Sequence, residues 1–246
     1  MKSSSLSAAV LVGSLAMSGM VLAQNVPPHA PDGGTIERIQ SVDIPPMANA
    51  PFSAVVVTEW TRIMPDGSSA LMKNHRTVAR DSVGRIFQER RYFSPDGDKQ
   101  ATRLSELDYE DPTLHQLTRC FVDTRVCWVY RMNRPATSQV QAPAKSAAGG
   151  MQWEDLGRKT IDNVDVLGSR EVMTIGVGAI GNEKEQPVVK EFWYSPRLGI
   201  NVTTKRFDPR ASAVQNFEVG NISQGEPDAQ LFRLPVGYRI VSGDPQ

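Results

Sequence analysis

The side chains able to do chemistry are few in this sequence, and their spacing argues against catalysis. His29, His75 and His115 stand far apart, and no His-x-x-x-His or His-Glu-x-x-His pair occurs. The paired imidazoles that grip zinc from one helix face are therefore missing. No Gly-x-Ser-x-Gly elbow and no glycine-rich phosphate loop is present. Asp96-Gly97-Asp98 offers two carboxylates, but the further oxygen ligands and closing glutamate of a calcium loop do not follow. It reads as a turn. No catalytic residue, metal or cofactor is expected, and a non-enzymatic role follows.

Two cysteines carry a different message. Cys120 and Cys127 sit in short apolar runs on either side of Asp123-Thr124-Arg125, which reads as a hairpin turn. A turn centred there places the two cysteines opposite each other, where Cβ atoms come within about 4.5–5.5 Å. The spacing rules out a Cys-x-x-Cys redox motif, and in an oxidising compartment a Cys120–Cys127 disulfide is expected.

Two further sets have a bland reading and a sharper one. Glu59, Arg62, Arg76, Arg80, Asp81, Arg85, Glu89, Arg90 and Arg91 lie along the first candidate strands. They form either a solvated sheet face with weak cross-strand pairs or a polar docking face built on Arg76, Arg80, Arg85 and Arg90. Among the aromatics, most are expected in the core. Trp60, Phe87, Trp128, Tyr130 and Trp193 are the candidates to line a groove for an apolar ligand.

The elements that would position these residues are strands. From Phe52 onward, runs rich in Val, Thr, Ile and aromatics alternate with turn signals at Pro65-Asp-Gly, Pro95-Asp-Gly and Pro196-Arg-Leu-Gly. Nine or ten strands are expected, with a looser acidic stretch from Glu106 to Asp111. A short helix is expected at Glu226–Phe232, with Pro227 at its first turn. The class is mainly β (α+β): a large curved antiparallel sheet or open half-barrel with one or two short helices. Residues 24–50 hold five prolines and read as an extended N-terminal segment, with a weak helical turn at Thr35–Gln40. The β-rich domain is placed at 51–241. Within it, 134–152 is small-residue-rich and reads as a flexible loop, or alternatively as a domain linker.

The chain of 246 residues carries 27 Lys and Arg against 27 Asp and Glu. No basic excess exists to bind nucleic acid. Residues 1–23 run from Lys2 through an apolar stretch to Val21-Leu22-Ala23, the pattern of a cleavable signal peptide rather than a membrane anchor. A periplasmic or secreted protein is expected, with no transmembrane segment after cleavage.

The C-terminal third has a familiar order: Glu191-Phe-Trp-Tyr-Ser-Pro, a strand ending Phe207-Asp-Pro, Asn221-Ile-Ser, then Glu226-Pro-Asp-Ala-Gln-Leu-Phe-Arg-Leu-Pro-Val-Gly-Tyr238. It resembles exported bacterial proteins of the outer-membrane lipoprotein carrier type (LolA-like) and the related sensor domain of RseB. That resemblance implies an open, strongly curved antiparallel sheet with helices plugging its concave side. It also implies a binding role: a lipid or acyl chain on the concave face, or alternatively an envelope protein partner in sensing or assembly.

Overall fold

The computed structural model describes residues 28–30, 42–132, 151–210 and 213–243. Twelve strands lie within them. The first six are β1 (Phe52–Ile63), β2 (Ser69–Arg80), β3 (Ile86–Arg91), β4 (Leu104–Asp111), β5 (Gln116–Phe121) and β6 (Val126–Arg131). Then come β7 (Met151–Ile161), β8 (Val164–Ile175), β9 (Gln186–Ser195), β10 (Ile200–Phe207) and β11 (Ala213–Ser223). A short 3-10 helix, Ala229–Phe232, precedes β12 (Arg239–Ser242).

All twelve join one open, curved sheet in the order β12-β6-β5-β4-β3-β2-β1-β11-β10-β9-β8-β7. Two antiparallel meanders, β1–β6 and β7–β11, are stitched together by antiparallel pairing of β1 with β11, while β12 adds in parallel to β6. The meanders are local, because hairpins need only short turns. The β1–β11 seam is not: it joins strands from opposite ends of the described chain. The strands β6 and β7, consecutive in sequence, therefore lie near opposite edges of the sheet.

Alternation along β1 defines the two faces. Phe52, Ala54, Val56 and Thr58 are buried, and Ser53, Val55, Val57 and Glu59 are half-buried between them. Directly paired residues share a face. The first face thus continues through Val78 on β2, Ile86 on β3, Val219 and Phe217 on β11, and Phe192 on β9. With Val202, Ile200, Leu198 and Val42, this face supplies most of the hydrophobic core.

What covers that face is the chain's own proline-rich segment. Residues 42–50 carry no regular structure, yet Val42, Ile44, Pro45, Pro46 and Ala50 are buried. The segment turns at Ala48–Asn49, with Asn49 at φ 60°, and it packs into the core rather than standing apart from it. Arg80 locks it down. Its side chain, 0% exposed, gives Nε and Nη2 to the Ala50 carbonyl (2.9 and 2.7 Å), Nη1 to Pro45 O (2.9 Å) and Nη2 to Leu198 O (2.8 Å). Its guanidinium also stands over the Phe52 ring. A backbone with prolines cannot enter a ladder as a full donor, so its carbonyls need outside donors. The five-donor fork of arginine supplies them.

Three expectations need correcting. The acidic stretch after Gln100 is not loose: it is strand β4, whose Glu106, Asp108 and Glu110 alternate onto the first face opposite Arg90, Gln88 and Ile86. The run Asn163–Gly168, whose residues read as a separator between strands at Trp153–Asp162 and Ser169–Val177, instead falls almost wholly within β8, which begins at Val164. Asp162 and Asn163, both at positive φ (47° and 61°), form a two-residue hairpin turn. Helices do not cover the sheet among the described residues. The C-terminal helix is one 3-10 turn, capped by Asp228, whose Oδ1 accepts from Gln230 N (2.9 Å). Residues 1–23, the Thr35–Gln40 turn and most of 134–152 lie outside the described residues.

Candidate functional site

Across β2–β5 the first face changes from apolar to charged. Four arginines (Arg76, Arg80, Arg90, Arg119) meet three carboxylates (Glu106, Asp108, Glu110) on it. Asp108, buried, is shared: Arg90 reaches Oδ2 at 3.1 Å and Arg119 reaches Oδ1 at 2.8 Å, with Glu106 a further 3.4 Å partner of Arg119. Arg90 and Arg119 each have a carboxylate within reach, which offsets the cost of taking them out of water.

Arg76 differs. It is 3% exposed, and neither Nη1 nor Nη2 finds a hydrogen-bond partner among the described residues. Burial pulls its pKa down to about 9, the Arg90 charge adds to that, and Asp108 and Glu89 oppose it. On the same strand pair, Thr58 Oγ1, Trp60 Nε1 and Asn74 Oδ1 are likewise buried without partners among the described residues. Val56 pairs with Arg76, Thr58 with Asn74 and Trp60 with Met72, so all four polar groups project from the first face of one strand pair. Isolated polarity reading would not single out this quartet. Its signal is the alternation Thr58-x-Trp60 against Asn74-x-Arg76, polar where a core strand should be apolar.

The expected docking face is not one surface. Arg76 and Arg80 are buried, and Arg90 is held by Asp108. Arg85 pairs with Asp81 (2.6 Å) over the Phe232 ring. The reason is positional: Arg76, Arg80 and Arg90 alternate onto the covered face, where they meet the core, backbone carbonyls and carboxylates.

The aromatic set divides between the faces. Trp60, Trp128 and Tyr130 are on the first face, Trp60 on central β1 and the other two on β6 near one edge, and Trp128 is 37% exposed. Phe87 and Trp193 are on the second. Phe87 is buried against Tyr109, with ring centres 5.5 Å apart. Trp193 lies between Lys159, whose Nζ sits 3.5 Å above the ring, and Glu191, which accepts its Nε1–H at 2.9 Å. The close packing depends on Gly168, where an added Cβ would come within 2.6 Å of the Trp193 ring and 2.8 Å of Leu156 Cβ. Gly168→Ala is expected to cost about 1–3 kcal/mol by overpacking, with a red-shifted tryptophan emission. Urea denaturation and fluorescence check it. An unchanged spectrum and midpoint would show that the ring can move at no cost.

The cysteine hairpin forms as expected. Cys120 and Cys127 are directly paired on β5 and β6, bonded to each other and fully buried. Closing so short a loop, with a sequence separation of 7, is worth about 2–3 kcal/mol. The Cys120→Ala/Cys127→Ala pair is expected to lose that amount in urea denaturation and to become insensitive to reductant. A wild-type midpoint that is itself unmoved by dithiothreitol would contradict this.

At the other end of the first face, Met151, Met173 and Val188 pair across β7, β8 and β9. With Glu171, Lys190, Asp208 and Arg210 they line a recess of about 400 Å³. His29 borders it. Its ring stacks on Phe192 (centres 4.2 Å apart, 6° between planes), Nε2 meets Glu171 Oε1 at 2.7 Å, and Nδ1 meets Ala30 O at 2.8 Å. Asn201 holds Ala30 from the other side, accepting its N–H and donating to its carbonyl. The other histidines are elsewhere: His75 Nδ1 contacts Gly97 O, and His115 occupies a turn at φ 51°. Among the described residues, no group of three or more His, Cys, Asp or Glu is placed to hold a metal ion, and no helix is long and apolar enough to cross a membrane.

No protein-family model matches the chain, and no curated protein does. Solved structures similar to it include an uncharacterized conserved protein from Thermus thermophilus (10% identity, 79% of this chain and 91% of that one, TM-score 0.35). A chain of the Pseudomonas aeruginosa MucA/MucB complex is similar at 9% identity over 78% of this chain, TM-score 0.39. The match spans 58% of that chain. A LolA superfamily protein from Nitrosomonas europaea is similar at 11% identity, covering 76% of this chain and 91% of that one, TM-score 0.22.

Proposed function

We propose that this chain is an exported, non-enzymatic binding protein of the bacterial envelope that holds an amphiphilic lipid or acyl chain on the first face of its sheet. The observation that carries the reading is the Met151–Met173–Val188 recess. Its volume of about 400 Å³ lies in the range of small-molecule sites. Methionines adapt to irregular apolar ligands better than branched side chains do.

The test is mass spectrometry of solvent extracts from the protein isolated from an envelope fraction, with an unrelated exported β protein handled identically. A reproducible lipid in near-equal molar amount supports the reading. A clean, ligand-free protein overturns it.

One observation favours a second reading, a protein-interaction module. Among the described strands β7 pairs only with β8, leaving an 11-residue edge open to strand addition. Glu154, Asp155, Arg158 and Lys159 on that strand guard against indiscriminate pairing, so a partner would need matching charge. Co-purification of one envelope protein that protects β7 amides from hydrogen exchange would support this reading. Unprotected β7 amides would remove it.

A further inference from the structure

We propose that Arg76 anchors an oxyanion site on the first face, taking the carboxylate or phosphate head of an amphiphile. The inference rests on the lipid-binding reading above for its class of ligand and names the head-group chemistry, at a place on the same face distinct from the Met151–Met173–Val188 recess, since β2 and β9 stand four positions apart in the sheet.

Three observations converge on it. Arg76 is buried with both Nη atoms lacking partners among the described residues. The two carboxylates that attract it are already engaged: Asp108 by Arg90 and Arg119, and Glu89 by Arg91 and the Thr77 N–H. On the same face of the strand pair, Thr58 one row and Trp60 two rows along from Arg76 add a hydroxyl and an indole N–H that are also buried without partners among those residues. Asn74 supplies one acceptor, since its Nδ2 is already given to Arg91 O (2.8 Å). The set is donor-rich and cationic, which selects an oxyanion over a cation or a neutral head. A planar guanidinium matches two such oxygens at once. A buried arginine without a partner is costly to a fold, and a bound anion removes that cost. Exposure rises along the same face from Asn74 through half-buried Met72 to exposed Arg62, which gives the direction of entry.

The experiment titrates the full chain with decyl phosphate, decanoate, decanol and inorganic phosphate, following heat and tryptophan emission. The wild type is expected to bind the two charged decyl probes at least about 30-fold more tightly than decanol. Arg76→Met should abolish that preference, with a thermal midpoint equal to or above wild type, because a buried charge has been replaced by an apolar chain. Trp60→Phe, which keeps a ring but removes the N–H, should weaken the charged probes several-fold at an unchanged midpoint. Equal binding of decanol and decyl phosphate by the wild type overturns the oxyanion site while leaving the amphiphile reading standing. Inorganic phosphate binding as tightly as decyl phosphate supports the site and overturns the amphiphile reading. Binding of no probe overturns both. A preference that survives in Arg76→Met, alongside a lowered midpoint, would assign the arginine a structural role and overturn the proposal.

Discussion

Arg80→Met lowers the free energy of unfolding by about 3–5 kcal/mol, one of the two strongest effects expected from single substitutions. The opposing terms can be weighed. Burial holds the Arg80 pKa at about 10, with Tyr194 pushing the other way, so keeping this cation in the core costs the fold something that methionine would not. Against that stand four hydrogen bonds from a charged donor to the carbonyls of Pro45, Ala50 and Leu198, each worth about 1.5–3 kcal/mol. Removing the donor leaves those buried carbonyls unpaired, and the loss outweighs the relief. Arg80→Lys should recover only part of it, because one ammonium nitrogen cannot span three carbonyls as a fork does. Urea denaturation at constant slope measures both variants. A wild-type midpoint in Arg80→Met would mean that the 42–50 segment finds other donors. The contrast with Arg76, four residues earlier on the same face, is instructive: one buried arginine is fully used and the other is not.

Phe192→Ala is expected to cost about 3–5 kcal/mol, the range for emptying a fully buried aromatic site. Phe192 is 0% exposed, flanked on the first face by Thr204 on β10 and Ser169 on β8. Its ring also carries His29, so the substitution removes the platform on which residues 28–30 rest. Two readouts separate these contributions. The urea midpoint reports the cavity, and hydrogen exchange at the Ala30 amide, which donates to Asn201 Oδ1, reports the release of the segment. His29→Ala should raise exchange at Ala30 while lowering stability far less. If His29→Ala and Phe192→Ala proved equally destabilising, the stacked imidazole rather than the core ring would be the principal contributor.

Much of the site was hidden in the sequence for one physical reason. Alternation with a period of two says that side chains divide between faces, but not which face will be covered. On β1 both sets contain valines, Ala54 and Val56 against Val55 and Val57, so the pattern is nearly symmetric. The covered face is chosen by residues 42–50, Leu198 and His29, all brought there by tertiary structure. For that reason Arg76 and Arg80, expected on a solvated surface, lie in the core, and the five aromatics expected in one groove stand on opposite faces. The acidic alternation of β4 was legible, but low strand propensity masked it. Cross-strand arginines on β3 and β5 outweigh that propensity.

By itself the amino-acid order determined the local things: strands where Val, Thr and aromatics alternate, turns at Pro-Asp-Gly, and the Cys120–Cys127 pairing across a short hairpin. These depend on neighbours within a few residues. Tertiary structure alone decided the β1–β11 seam, the burial of the proline-rich segment and the fate of each arginine. Pro45 lies 35 residues from Arg80 and Leu198 lies 118 residues away, yet both supply its acceptors. Whether a charged side chain is solvated, used by the backbone or left to meet a ligand depends on such distant partners, because burial sets its cost and only the completed fold sets its burial.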